Sequence, residues 1–201
     1  MKALAKQLAF WAATMAVLPH LISYALRSAI FDSDRALLGS SQALSLWPGL
    51  LGQYLRRAFY CRVLAECAPT VTIEFGTLLS RAGARLADNV YVGPHCHLGL
   101  VHLERDVLLA AGVHVPSGGD THGTDDLERP IREQAGTLRT VRVGAGSWIG
   151  SAAVVMADVG RDTIIGASSV VTRAIPDRVF AAGVPARVIR SRDSQPPGIQ
   201  T

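Results

Sequence analysis

Between Ile73 and Val171, aliphatic residues return at intervals centred on six positions. The series opens with Ile73, Leu79, Leu86, Val92 and Leu98, and continues with Leu103, Leu109 and Val115. After an interruption come Val143, Ile149 and Val155, then Ile165 and Val171. A small residue often follows, as in Val92-Gly93, Leu98-Gly99, Val143-Gly144, Ile149-Gly150 and Ile165-Gly166. Six is neither the helical repeat of about 3.6 nor the strand repeat of two alone. It is the period of a β-solenoid with one short strand per flat face, three faces making a coil of about eighteen residues. One aliphatic side chain per face points into a narrow prism, and stacking turns these into continuous apolar columns. No coil buries its own face, so several must stack before any is stable. A β-sandwich would instead show alternation at period two and turn signals every roughly 8–12 residues.

The chain has 201 residues, enough for one sizeable core and a small accessory segment. Its mean hydropathy of +0.25 and 18% charged residues are too apolar for disorder. Cys61, Cys67 and Cys96 are an odd number without framework spacing, which points to a reducing compartment. Residues 1–70 carry seven Lys or Arg against three acids, and the remainder is balanced. The basic excess therefore lies beside the N-terminal apolar runs, a pairing that suits an anionic membrane surface better than nucleic acid. No nucleic-acid-binding module is present in the sequence.

From Leu8 to Leu26 there is no Asp, Glu, Lys or Arg. Pro19 and His20 favour a kink there. The segment reads as membrane-embedded without crossing, or re-entrant; a true span and a helix buried against the protein's own solenoid or a neighbouring subunit are the alternatives. A signal peptide is the next rival, disfavoured because no convincing small-x-small cleavage site follows and the repeats look cytoplasmic. Phe31 to Gly39 reads as a polar break. A helix is expected from about Pro48, ending at Pro69, with Arg56 and Arg57 turned toward lipid phosphates or solvent. The expected organisation is a helical membrane-associating segment over 1–70, a solenoid over 71–190 and a disordered tail over 191–201. The stretch 117–140 has no aliphatic column and is rich in Asp, Glu and Arg with one His. It leaves the solenoid at a corner, where a site-building loop belongs. The spacing of ten between Val155 and Ile165 places another altered corner near Asp158–Asp162. After Val171 a closing strand and a short helix are expected.

The run of residues 141–190 resembles the C-terminal half of the hexapeptide-repeat acyltransferases. The pieces that carry the resemblance are Trp148-Ile149-Gly150, Ile165-Gly166-Ala167, Ser169-Val170-Val171-Thr172-Arg173 and Ala182-Gly183-Val184-Pro185-Ala186-Arg187. It covers about residues 70–190 and is strongest toward the serine, galactoside and exopolysaccharide O-acetyltransferases. The resemblance implies an all-β, left-handed parallel β-helix, assembled as a homotrimer, with acetyl-CoA as acyl donor and no metal. Two departures stand out. Val159-Gly160-Arg161-Asp162 is about two residues shorter than the commoner family corner. The first 70 residues are also unlike the soluble helical cap of many serine acetyltransferases, which weakens the case for a free amino acid acceptor.

Transfer from a thioester needs a base to take the acceptor's proton, and histidine suits that at neutral pH. By resemblance that base is His122, in Asp120-Thr121-His122-Gly123. A carboxylate to orient it is sought among Asp120, Asp125 and Asp126, with Asp125 slightly favoured. The same resemblance places Trp148, Ser151, Ala167, Thr172 and Arg173 along a donor groove between subunits, with Arg187 or Arg190 near the phosphates. Glu128, Arg129, Arg132 and Glu133 either read an acceptor sugar or form loop salt bridges. The expected acceptor is a sugar hydroxyl on a lipid-linked or surface-polysaccharide precursor, reached from the cytoplasmic face of an inner membrane. Two rivals are a metal-dependent hydratase of the γ-carbonic-anhydrase kind using His95, His97, His102 and His114, and a catalytically inactive membrane scaffold.

Overall fold

The computed structural model describes residues 2–193, with side chains from residue 7 onward. Most of the expected tail, residues 194–201, lies outside the described residues. Four helices precede the solenoid: α1 (Lys2–Ala16), α2 (Leu18–Ile30), α3 (Ser33–Ser45) and α4 (Gly49–Val63). The first coil holds β1 (Glu66–Cys67), β2 (Thr72–Ile73) and β3 (Leu78–Leu79). The second holds β4 (Arg85–Leu86), β5 (Tyr91–Val92) and β6 (His97–Leu98), and the third β7 (Val101–Leu103), β8 (Leu108–Leu109) and β9 (His114–Val115). Beyond the insertion come β10 (Val141–Val143), β11 (Trp148–Ile149) and β12 (Val154–Val155). The fifth coil has β13 (Ile164–Ile165) and β14 (Val170–Val171). A hairpin of β15 (Val179–Gly183) and β16 (Ala186–Ser191) closes the last.

These strands form a parallel β-solenoid of about six turns. The first face stacks β1, β4, β7 and β10, the second runs from β2 through β5, β8, β11 and β13 to β15 and β16, and the third stacks β3, β6, β9, β12 and β14. Every pairing is parallel except β15 with β16. All thirteen aliphatic residues of the hexad series are fully buried, at 0% exposure. The small residue that follows has a cause in the stacking itself. A Cβ on Gly144 would sit 2.4 Å from the Arg161 nitrogen of the next coil, and one on Gly150 would sit 2.5 Å from the Ala167 nitrogen.

The structure corrects several expected boundaries. The spacing of ten splits into four plus six: Val159 takes the inward position and bridges Val143 below and Ile175 above. The short corner is thus at Met156–Asp158, and the same four-residue step recurs between Val171 and Ile175. The segment 31–39 is not a break, because α3 begins at Ser33. Its buried face includes Ser40 and Ser41 beside Ala36, Leu37 and Leu44, so serines disguised the helical period. Those serines are bonded: Ser41 Oγ accepts from the Leu79 amide at 2.8 Å and meets the Tyr60 hydroxyl at 2.8 Å. Helix α4 ends at Val63 rather than Pro69, and the Ala65 amide already donates to Ala82. The chain closes on an antiparallel hairpin, with no terminal helix among the described residues. Ser191 belongs to β16 and the Arg192 amide donates to Arg178 at 2.7 Å, so the first part of the expected tail is ordered.

The 1–70 segment has two layers. Helices α3 and α4 pack on the first coil and cap the open end of the prism, a need of any solenoid. Arg56 does not face lipid or solvent: it is fully buried, donating through Nε to Ile73 O at 2.9 Å and through a terminal nitrogen to Leu44 O and Trp47 O at 3.1 and 2.7 Å. Outside them, α1 lies on α4 and α2 on α3. The break between α1 and α2 falls at Val17, and the segments on either side are bent by 50°. No single helix among the described residues is long and apolar enough to cross a membrane; the bent pair has the length and composition only if taken together.

Candidate active site

The corner after the third face is where the solenoid departs most from regularity, and the insertion leaves there, between β9 and β10. Its two legs are tied at the base. The Arg139 amide donates to Ser117 O at 2.8 Å and the Thr137 amide to Asp120 O at 2.7 Å. Arg139 also reaches Asp158 of the next coil at 3.3 Å. Further out the legs touch backbone to backbone: a Cβ on Gly136 would lie 2.2 Å from the Thr121 carbonyl carbon and 2.4 Å from the His122 nitrogen. Glycine at 136 is what lets the second leg press His122 inward. Gln134 ties the tip, donating to Asp126 O and Arg129 O at 2.6 and 2.9 Å.

His122 thereby lines a cavity of about 280 Å³ against the solenoid, with Ser80, Arg81, His97, His114 and Leu138 among its walls. His97 and His114 face one another in register across β6 and β9, their rings stacked at 5.0 Å and 9°. Burial and the neighbouring His114 hold the His97 imidazole below its ordinary pKa, which keeps it neutral at pH 7. Arg81 is fixed from the helical layer: Asp34 of α3 pairs with it at 2.9 Å and accepts from the Ala82 amide at 2.7 Å. The cavity thus combines the exposed His122 imidazole, the stacked His97–His114 rings and the Arg81 cation. An imidazole at the wall of such a polar cavity can take a proton from a group held beside it.

His122 forms no hydrogen bond or ion pair with Asp120 or Asp125 among the described residues. Asp126 caps its own turn, accepting from the Glu128 amide at 3.0 Å. Arg132 and Glu133 pair at 3.7 Å, both exposed, and Arg129 donates to Glu133 O at 3.0 Å. Arg132 with Glu133 is thus the one pair among these loop charges in the described residues, and Arg129 and Asp126 bond to backbone groups.

The six residues expected at the donor site fall in three groups. Thr172 and Arg173 are exposed and follow β14, at the same corner as the insertion. The ladder from Pro116 through Met156 to Thr172 rises two coils, about 10 Å at the usual strand spacing. Ser151 and Ala167 are exposed at the opposite corner of that face, stacked in consecutive coils. Trp148, half exposed on β11, and Arg187 of β16 belong to the second face. One protomer does not gather them all into one groove around His122. The histidines of the hydratase alternative are also divided: His97 and His114 share the third face, His102 lies on the first, and His95 packs edge-on against Phe75 at a corner. No group of three or more His, Cys, Asp or Glu side chains converges on a metal position among the described residues.

Sequence reading missed the partners of His122. Spacing and resemblance do not single out Ser80 and Arg81, and they offer His97 and His114 only as metal ligands. Their spacing of seventeen places them one coil apart on one face, a signal the solenoid period does contain.

A parallel solenoid of short strands in about six turns matches the fold of the left-handed β-helix acyltransferases. The solved maltose O-acetyltransferase of Clostridium difficile 630 superposes over 81% of this chain and 90% of its own, with a TM-score of 0.67 at 18% identity. A galactoside acetyltransferase solved in complex with coenzyme A matches 81% of this chain and 84% of its own, with a TM-score of 0.58 at 20% identity. In sequence, the chain is 30% identical over 162 residues to the "Putative lipopolysaccharide biosynthesis O-acetyl transferase WbbJ" of Escherichia coli (strain K12), covering 68% of this chain and 83% of that protein. It is 50% identical over 52 residues to the galactoside O-acetyltransferase of Escherichia coli, 25% of this chain and 26% of that one. As there, the chain spans about a quarter to a third of the length of several other relatives. No family model matches. The chain belongs to the hexapeptide-repeat acyltransferase family.

Proposed function

We propose that this protein moves an acetyl group from acetyl-CoA to a hydroxyl of a sugar on a lipid-linked or surface-polysaccharide precursor. The observation that carries the reading is the cavity at the insertion corner, which an exposed His122 lines together with His97, His114 and Arg81. His122 removes the hydroxyl proton as the acceptor oxygen attacks the thioester carbonyl. The same imidazolium then protonates the departing thiolate, so an ester and free CoA leave and the enzyme is unchanged. Thr172 and Arg173, two coils above on the same edge, would meet the pantetheine arm. Arg187 would meet a phosphate, for which an exposed guanidinium is suited. A homotrimer would bring the second-face residues of one subunit to the third-face residues of another. The kinship with WbbJ, together with the basic and apolar N-terminal segment, supports a membrane-bound saccharide acceptor at the cytoplasmic face of an inner membrane.

Calorimetric titration with acetyl-CoA, paired with steady-state rates on sugar acceptors, tests this. His122→Ala should lower kcat by at least about a hundred-fold while leaving CoA affinity nearly intact. Arg173→Ala should weaken CoA binding by about ten-fold, the worth of one charge-assisted contact. Equal loss of CoA binding in His122→Ala would remove it as base, and unchanged affinity in Arg173→Ala would take that residue out of the donor site.

A further inference from the structure

A second, larger cavity of about 570 Å³ lies between α1, α4 and the first coil. Phe10, Trp11, Leu50 and Tyr54 form much of its apolar wall, and Arg57 supplies its cation. The guanidinium lies over the Tyr54 ring at 4.6 Å and the Phe10 ring at 5.5 Å, held by two aromatic faces. Its Nε is buried and has no acceptor among the described residues, and no Asp or Glu is among the lining residues. A buried donor left without an acceptor is costly, so the site favours an anion that arrives from outside.

The surface beside this cavity decides what kind of anion. Trp11 belongs to an apolar stripe along the outer face of the elbow: Leu8, Trp11 and Met15 on α1, then Leu18, Ile22, Leu26 and Ile30 on α2, all exposed. Their steps of three and four residues put them on one side of each helix. Leu50, at the mouth of the same cavity, is 71% exposed, and Leu46, Trp47 and Leu51 beside it in sequence are exposed as well. A cation without a counter-acid, bordered by exposed aliphatic and indole side chains, matches a phosphate headgroup with its acyl chains attached. The excess of seven basic residues over three acids in residues 1–70 agrees in sign.

We propose that the Arg57 cavity seats the phosphate of an anionic phospholipid, with the α1–α2 stripe lying in the acyl boundary of the bilayer. The inference rests on the membrane reading above and gives it a specific lipid contact. Vesicle flotation of the full-length protein tests it, with pure phosphatidylcholine compared against phosphatidylcholine doped with phosphatidylglycerol. Wild type should bind the doped vesicles about five-fold more tightly, the increment expected for one Arg at an anionic surface. Arg57→Gln should lose that excess while keeping its binding to phosphatidylcholine, and Arg57→Lys should retain part of it. Ile22→Asp combined with Leu26→Asp should lower binding to both vesicles. Retained CoA binding in each variant verifies that the solenoid is folded. If Arg57→Gln keeps the full anionic preference, the headgroup site is wrong while the membrane reading stands. If wild type floats with neither vesicle, or the stripe instead joins copies of the chain in solution, both are wrong. Saturable binding of inorganic phosphate at Arg57 without any vesicle preference would overturn the lipid as the source of the anion.

Discussion

At the scale of single residues, the placement of His122 depends on an atom that is missing at Gly136. Any side chain there meets the Thr121–His122 backbone at 2.2–2.4 Å, closer than Cβ contacts tolerate, and backbone cannot swing aside as a flexible side chain would. Gly136→Ala should displace His122 by a fraction of an ångström to about 1 Å and lower kcat by about ten- to a hundred-fold. Its melting temperature should stay close to wild type, because the loop lies outside the stacked core. Paired rate and melting measurements check this, and a large loss of stability would mean the loop is part of the core. His97 carries a pH effect. Its folded pKa is lowered by burial and by His114, so near pH 6 the unfolded chain binds more protons than the folded one. Stability should therefore rise with pH from the folded pKa up through the ordinary histidine range and level off above it. In His97→Gln, denaturation midpoints measured from pH 5 to pH 8, about the range over which a histidine titrates, should lose that component of the slope.

At the scale of elements, the helical segment and the solenoid are joined by polar groups that hydropathy alone treats as surface. Arg56 crosses from α4 to the Leu44 carbonyl at the end of α3, to Trp47 O in the turn that follows, and to Ile73 in the first coil. Burial lowers its pKa from an already high value, with Tyr60 and Glu74 opposing, and the charge is shared among carbonyl dipoles rather than an acid. Arg56→Met fills similar volume but leaves those carbonyls without a donor. It should cost about 3 kcal/mol or more in chemical denaturation. A cost near zero would mean water replaces the guanidinium. Arg57, one residue on, turns to the opposite layer and faces the α1 side, so neighbours in the chain serve two different structures. The serines of α3 explain why that helix was invisible as an amphipathic pattern. Its contact with β3 includes a hydrogen bond from the Leu79 amide to Ser41, beside the apolar packing of Leu37 and Leu44.

At the scale of the whole molecule, each coil is stable only through its neighbours, and the two ends of the prism are managed differently. The helices cover the first coil, while the β15–β16 hairpin turns the last strand antiparallel and limits the open edge. The second face keeps Tyr91, Leu108 and Trp148 partly exposed in adjacent strands, an apolar column on the outside of the solenoid. The proposed trimer would cover such a surface and would join the divided donor groups. Sedimentation of the purified protein should give three times the 21.3 kDa chain mass. A monomer that retains full transfer activity would show that one chain suffices for the site.

The hexad period by itself determined the solenoid, its inward columns and the corner from which the insertion departs. Burial of an aliphatic residue on a repeating face writes itself into the order of the chain, as do the glycines that let coils approach. The motif pieces from Trp148 to Arg187 pointed to the family for the same reason, since each repeat depends only on its neighbours. What only the tertiary structure decided is which side chains meet across coils and layers. The seventeen-residue step that stacks His97 on His114, the Asp34 that holds Arg81 at the cavity, and the carbonyls that bury Arg56 are contacts between distant segments. Their strength comes from geometry and desolvation, which composition and spacing do not record. Val159 shows the limit within the repeat itself: a four-residue step is invisible to a six-residue period until the bridges to Val143 and Ile175 place it in the column.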